Sequence, residues 1–593
     1  MFPETKNCQN CKKEFIVAPE DFAFYEKVQV PAPTWCPECR TRRRLAWRNE
    51  RSLYRRKCEK TGKEIFSMFH PSASVVVVDN DYWWGDSWDG IEYGKEIDWD
   101  RPLLEQFKEL QKIVPRPARS IQKSENSDYC NNGGSIKDSY LVFTAENVER
   151  TMYSVAIWDS KDCMDCLNTF FSELCYGCVF CDHCYNCQYC ITCNDSNDLL
   201  FCKNCANCSD CFGCVNLKNK QYCIFNEQYS PEEYKKRLSD FKLNTFDGVQ
   251  AVWKKLLAFS QNFPVQFAVH DNRNVNCSGE FIYKGKNVQQ SYFSTGENCK
   301  FCQLVLLPQV KDCYDYSIWG NNAELMYECA QVGTNVSRIK FSFDIYPSSS
   351  EIEYSMFCTS SDNLFLCAGL KKKKYCILNK QYTKEEYEAL VPKLKQHMND
   401  MPYTDAQGRV YKYGEFFPPE FLPYGYNETL AYELFPLTKE EAESAGYFWR
   451  EPEKRNYQTT IQAQDIPQSI QEADDSITQQ VIGCAHAGNC AHNCTTAFKI
   501  LPQEFAFYRQ HNIPLPRLCP NCRHHERIYW RSPIQMHERT CQCAGEKSEN
   551  RAYTNTLKHD HGSSHCAHTF QTPYAPNRPE IVYCKECYQE EVA

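Results

Sequence analysis

CMDCLNTFFSELCYGCVFCDHCYNCQYCITC, residues Cys163 to Cys193, carries cysteine at nine of its eleven third positions, and like residues return every twelve. Over residues 135–228 the same period gives a column of Tyr140, Met152, Met164, Tyr176, Gln188, Leu200, Phe212 and Ile224. A second column reads Val142, Ser154, Cys166, Cys178, Cys190, Cys202 and Cys214. A third reads Phe143, Val155, Leu167, Val179, Ile191 and Val215, broken only by Lys203. Asn147, Asp159, Asp195, Asn207 and Asn219 recur where a turn falls. A short fixed period whose columns stack like on like is the pattern of a β-solenoid, so the chain reads as mainly β. Strand alternation then places Tyr176 and Cys178 on one face and sends cysteines three apart to opposite faces. On that reading the run is a buried ladder of small apolar thiols, with a metal cluster or metal store as the competing reading.

Working outward, the end of this block returns later in the chain. Lys220-Gln-Tyr-Cys-Ile-Phe-Asn226 reappears as Lys373-Lys-Tyr-Cys-Ile-Leu-Asn379, and Glu173-Leu-Cys-Tyr-Gly-Cys178 as Glu324-Leu-Met-Tyr-Glu-Cys329. A second β-solenoid with fewer cysteines therefore occupies 269–380, after the first at 119–228. Residues 230–260, opened by Ser230-Pro231, and 383–398, opened by Thr383 with Glu386 three positions on, read as helices that cover the solenoid ends. Residues 401–480 are aromatic and proline-rich, with a helix at 439–445 and a polar linker at 456–476.

The two ends are copies. Cys8-x-x-Cys11 is followed by Cys36-Pro-Glu-Cys39, and Cys490-x3-Cys494 by Cys519-Pro-Asn-Cys522. Between them FIVAPEDFAFYEKVQVPAP (Phe15–Pro33) matches FKILPQEFAFYRQHNIPLP (Phe498–Pro516). Two short cysteine pairs offer four thiolates to one tetrahedral Zn2+ and leave no open position, so each reads as a closed structural zinc ribbon. A further ribbon follows at 533–593, with Cys541, Cys566, Cys584 and Cys587 as its simplest ligand set and Cys543, His561 and His565 competing for a place. Its N-terminal counterpart, 58–118, keeps only Cys58; Thr61, Asp79 and Tyr82 stand at the other positions, and the aromatic run Tyr82, Trp83, Trp84, Trp88 replaces the metal. The expected total is about three zinc ions. The blocks are then 1–57 and 481–532 for the paired ribbons, 229–268 and 381–400 for the helical caps.

Thirty-nine cysteines in paired spacings, with no basic and apolar leader and no apolar run beyond Val75–Val78, point to reduced thiols in a cytoplasmic protein rather than to disulfides or a membrane span. The net charge of −9 argues against coating nucleic acid along the whole chain. One local exception is 40–57, RTRRRLAWRNERSLYRRK, where nine bases meet a single acid. As a helix it aligns Arg40, Arg43, Arg44, Trp47, Arg48 and Arg51 for phosphate contact and base stacking. The competing reading pairs these arginines with the eight carboxylates of 79–100.

Terminal CPxCR ribbons, the ELCYxC solenoid, KxYCIxNxQY and YGEFFP…YNET together resemble an uncharacterised family of cysteine-rich zinc-ribbon proteins of similar length from ultra-small, reduced-genome bacteria of the candidate phyla radiation. The resemblance implies this architecture and a bacterial cytoplasm, and carries no activity. No phosphate-binding loop, nucleophile elbow or HExxH helix occurs, so no catalytic residues are assigned. The expected function is a non-enzymatic zinc-binding scaffold with a macromolecular partner, a protein or a nucleic acid or ribonucleoprotein docked on the basic N-terminal ribbon. Thiol-rich zinc storage or transfer is the alternative, and an enzyme the remaining one.

Overall fold

The computed structural model describes residues 2–269, 271, 273–451 and 457–592. It is mainly β and divides into two compact units, Met1–Arg119 with Ala268–Arg450, and Ser120–Phe267 with Glu451–Ala593. The N-terminal ribbons thus belong with the second solenoid, and the C-terminal ribbons with the first.

In the second unit, ten strands from Ile121–Glu125 to Glu227–Gln228 follow one another in chain order, parallel until a final antiparallel pair. The twelve-residue columns are the register: Phe143 faces Val155, Val155 faces Leu167, and the column continues through Val179, Ile191, Lys203 and Val215. What bends the chain is a left-handed residue at every third position. Asp162, Asp165, Asn168, Phe171, Leu174, Phe180, His183, Asn186, Tyr189 and Thr192 all lie at φ of 48–58°, with Gly177 at 62°. Left-handed backbone costs an ordinary residue about 1–2 kcal/mol. Asn and Asp bear that cost best, which explains their recurrence. Coil-to-coil hydrogen bonds such as Asp165 N–H to Met152 O (3.1 Å) and Leu167 N–H to Cys178 O (2.9 Å) hold each corner in place.

This geometry corrects the strand-face reading. Because the chain turns a corner every three residues, Cys175, Cys178, Cys181, Cys184, Cys187, Cys190 and Cys193 all point into one interior. Tyr176 points outward instead, into a cluster with Met164, Ile470 and Tyr508. The single proton of each of these seven thiols lies within reach of two carbonyls, that of residue i−2 and that of i+9 on the next coil. Cys178 reaches Tyr176 O (3.7 Å) and Cys187 O (3.3 Å); Cys190 reaches Gln188 O (3.4 Å) and Leu199 O (3.5 Å). Thr169 makes the same two bonds with its hydroxyl, to Leu167 O and Cys178 O, both at 3.4 Å. Cysteine therefore serves as a small donor that fills a tight corner.

The first unit's solenoid runs from Gly279–Ile282 to Lys380–Gln381 in a thirteen-stranded sheet. Its coils vary in length: Tyr292 faces Gln303, Gln303 faces Ser317, and Ser317 faces Ala330. Its interior holds Ile282, Val288, Ile339, Ile352 and Leu364 with fewer thiols.

The expected helix over 230–260 is two, Pro231–Ser239 and Phe246–Ser260. Ser230 caps the first, and Thr245 starts the second by accepting Gly248 N–H at 3.1 Å. The second packs Val249, Val252 and Leu256 on Phe212 and Ile224 at the solenoid end. Helix Lys384–Asp400 carries the Thr383–Glu386 capping box, and Thr438 caps Lys439–Ser444. The polar segment expected as a linker, of which Asn456 lies outside the described residues, is a strap of short 3-10 turns. Ile466, Ile470 and Ile477 anchor it beside Met164 and Tyr508.

Candidate metal centres

A hairpin of Glu4–Asn7 and Glu14–Val17 presents Cys8 and Cys11, and the turn into helix Pro37–Leu45 presents Cys36 and Cys39. The four sulfurs lie within 4.8 Å of one another. Cys11 and Cys36 Sγ are 3.7 Å apart, and Cys8 Sγ accepts the Cys36 amide at 3.2 Å. Asn10 Nδ2 donates to Cys39 Sγ at 3.3 Å. This is the knuckle arrangement of a closed four-thiolate site.

The second ribbon corrects the ligand set. Cys484, not Cys490, stands beside Cys494, Cys519 and Cys522. Its Sγ accepts the Cys519 amide at 3.3 Å, as Cys8 does from Cys36. The short knuckle of the first ribbon is here opened into a longer loop, and aligning by spacing alone selected the wrong cysteine. Cys490 sits in an adjacent set with His486, His492 and, once more, Cys522.

In the third ribbon Cys541, Cys566, Cys584 and Cys587 come together as the sequence suggested. Cys543 and His561 lie in a second set with His559 and Cys587, whereas His565 bonds the carbonyl of Cys566 through Nδ1. Crowded sulfurs share protons unevenly, holding one thiol of each set down while others, such as Cys39 and Cys522, are pushed up. Hydrogen bonding, first from Cys36, keeps Cys8 well below the ordinary thiol range, and Cys484 does the same first for Cys519. Cys541 falls to about 5, first through Cys584. Four sulfurs packed this closely could hold a metal ion, which would bind them as thiolates.

At the N-terminal counterpart, Cys58 Sγ accepts amides from Thr61 (3.4 Å) and Asp79 (3.2 Å), so the knuckle persists without further thiols. Asp79 caps helix Asn80–Trp84 instead. Trp83 is fully buried, donates Nε1–H to Pro115 O at 3.1 Å, and packs edge-on to Trp84.

The basic face is not open to a polyanion. Arg40, Arg43, Arg44, Trp47 and Arg48 are all at most 3% exposed. Arg40 and Arg44 share Asp315 at 2.8 and 2.9 Å, and Arg43 bridges Glu328 (3.0 Å) and Glu415 (3.2 Å). Arg48 meets Glu50 and Gln331, both at 2.7 Å, and Arg51 lies 3.8 Å from Glu433. Trp47 packs on Phe343 and Phe417. The carboxylates of 79–100 are not the partners either; the acids come from the solenoid, the aromatic segment and, for Arg48, Glu50 of the same stretch.

The duplicated ribbon repeats the clamp. Arg523 and Arg527 share Asp165 at 3.3 and 2.7 Å, and Arg523 also meets Glu504 at 3.2 Å. Asp165 and Asp315 occupy matching places in Cys163-Met-Asp165 and Cys313-Tyr-Asp315. One acid at a common solenoid offset, with an i, i+4 arginine pair on each ribbon helix, was the signal in the sequence for this docking. A cavity of about 300 Å³ in the first unit opens beside Lys108, Lys112, Arg116 and Glu420, where Lys108 pairs with Glu420 at 3.0 Å. No protein-family model matches the chain, and no curated protein matches it in sequence.

Proposed function

We propose that this is a non-enzymatic zinc-braced scaffold in which metal-closed ribbons are locked onto β-solenoids whose free faces bind a macromolecular partner. The carrying observation is that each paired ribbon buries its arginine helix against a solenoid while holding four mutually close thiols. Tetrahedral shells of four protein ligands suit Zn2+ and leave no position for substrate. The metal sets the ribbon, and the ribbon covers solenoid surface.

Storage of metal on the solenoid thiols is less well supported. Each of those buried side chains already has its proton within reach of two carbonyls, contacts that a metal-bound thiolate would give up. With the basic face occupied, the partner surface we favour is the exposed ladder of the first solenoid. There Trp158 lies against Phe170, and Phe171 (53% exposed) stacks on His183, near Tyr185 (50% exposed). Glu146, Asp159 and Asp182 neighbour them along the same columns. An acidic, aromatic surface favours a basic protein segment over nucleic acid.

The test is affinity capture on the immobilised full chain, with and without nuclease. Partners that survive nuclease and are lost with Phe171→Ala/Tyr185→Ala support the scaffold reading. Partners that vanish with nuclease overturn it in favour of nucleic acid.

A further inference from the structure

Two ribbons of the second unit place a second group of metal-binding side chains beside the first. In the second ribbon, His486, Cys490 and His492 gather around Cys522; in the third, Cys543, His559 and His561 gather around Cys587. Both times the shared residue is the last cysteine of the ribbon, in the first turn of helix Pro520–Ile528 or Lys585–Val592. Both times the combined set is five cysteines and two histidines. We propose that each of these ribbons holds two metal ions bridged by one thiolate, Cys522 or Cys587, rather than one ion apiece. The proposal rests on the metal-braced reading above and extends it.

Geometry supports the bridge. Cys522 Sγ lies 3.9 Å from Cys484 Sγ in its own set and 3.7 Å from Cys490 Sγ in the adjoining one. Cys587 Sγ lies 3.3 Å from His561 Nε2, and Cys543 Sγ 3.1 Å from His559 Nδ1. A sulfur bonded to two zinc ions at about 2.3 Å keeps them no more than about 4.6 Å apart, compatible with sets this compact.

The surroundings of the histidines are those of ligands. His559 turns its other nitrogen to Glu591 Oε1 at 2.9 Å, and His561 turns Nδ1 to Ser564 O at 2.8 Å. A carboxylate or carbonyl on the far nitrogen fixes the tautomer and orientation of a metal-bound imidazole. In the second ribbon, Nδ1 of both His486 and His492 is buried without a hydrogen-bond partner, a costly state that a metal ion relieves. Charge points the same way. Five thiolates around two dications leave one net negative charge, whereas four thiolates around one dication leave two. The first ribbon is the internal contrast. Only Gln9 and Asn10 separate Cys8 from Cys11, and Asn10 donates its amide to Cys39, the counterpart of Cys522.

Native mass spectrometry of the full chain, loaded with Zn2+ and stripped of loosely held ion, counts the sites. One ion in the first ribbon and two in each of the others gives five. His486→Asn/His492→Asn should carry four, as should His561→Asn, because each retains its four-cysteine set; both together should carry three. Cadmium substitution adds a second readout: 113Cd–113Cd coupling through the bridging sulfur, lost in the histidine variants. Three ions in the unaltered chain, or histidine variants that lose none, would overturn the bridge while leaving the braced scaffold standing. A chain that holds no ion would sink both.

Discussion

Asp165 is the side chain on which the docking of the second ribbon turns. It is 3% exposed, accepts a hydrogen bond from Arg527 and forms an ion pair with Arg523, one helical turn away. Asp165→Ala leaves Arg527 buried with the Tyr153 carbonyl at 3.0 Å and leaves Arg523 with Glu504. The two cations then keep one direct carboxylate partner, Glu504 on Arg523, with Glu526 acting on them at longer range. Removing one partner of a buried pair costs about 3–5 kcal/mol. At about 1.4 kcal/mol per decade, the opening equilibrium of this ribbon should rise by roughly two to four orders of magnitude. Asp315→Ala should cost less, about 1–3 kcal/mol, because Arg44 keeps Glu328 at 3.3 Å and Arg40 keeps both Glu328 at 3.6 Å and the Trp35 carbonyl at 2.7 Å. The assay is native-state hydrogen exchange with peptide resolution, comparing helix Pro520–Ile528 with helix Pro37–Leu45 in the same molecule. Asp165→Ala should deprotect the former and spare the latter, and Arg527→Met on that background should restore much of the protection. If the double variant exchanges as fast as the single one, the buried charge is not what holds the ribbon, and the reasoning fails.

Cys11→Ser should remove one zinc ion and no other, seen as a single-ion loss in the native mass spectrum; any larger loss means the sites are coupled. In the solenoid, Cys178→Ser should change stability by less than about 1 kcal/mol because a hydroxyl already fills the same role at Thr169, whereas Cys178→Leu should cost about 1–3 kcal/mol by overpacking; urea midpoints decide. Native protein treated with iodoacetamide should leave Cys178, Cys190 and Cys202 unlabelled, and rapid labelling of these three would undo the ladder assignment. Thr383→Ala should cost about 1 kcal/mol through loss of the Thr383–Glu386 cap, read from the thermal midpoint.

Much of this architecture is written in periodicity. The Phe143 and Tyr140 columns are the strand register itself, because a coil of fixed length stacks residue i on residue i+12. The spacing of thirds was equally visible, but its meaning was not. Strand alternation predicts opposite faces for Cys175 and Cys178, and only a left-handed residue between them brings both inside. That conformation follows from neighbouring coils rather than from local preference, which is why Phe171 and Leu174 adopt it beside Asn and Asp. Cysteine pairing located three ribbons but put Cys490 where Cys484 stands in the four-cysteine set, since a knuckle can lengthen without losing its fold. The basic stretch misled for a different reason. Composition records that arginines cluster, and burial decides whether water, phosphate or an internal carboxylate meets them.

The order of the chain suggests a further role for the proposed metal ions. Ribbons flank the two tandem solenoids in sequence, and each paired ribbon belongs with the solenoid farther from it. Arg40 must find Asp315 across 275 residues, and Arg527 finds Asp165 across 362. Contacts of such separation close late, after the loop-closure entropy between them has been overcome. The first four-cysteine set, by contrast, spans only Cys8 to Cys39 and can close as soon as those residues and an ion are available. A ribbon without its metal would expose an arginine helix and Trp47 for as long as the second solenoid is unmade. A ribbon already closed by metal offers a formed helix to whichever solenoid carries the matching aspartate. On this argument the metal's contribution lies in holding a docking surface ready across a long wait, and the buried arginines make that surface specific.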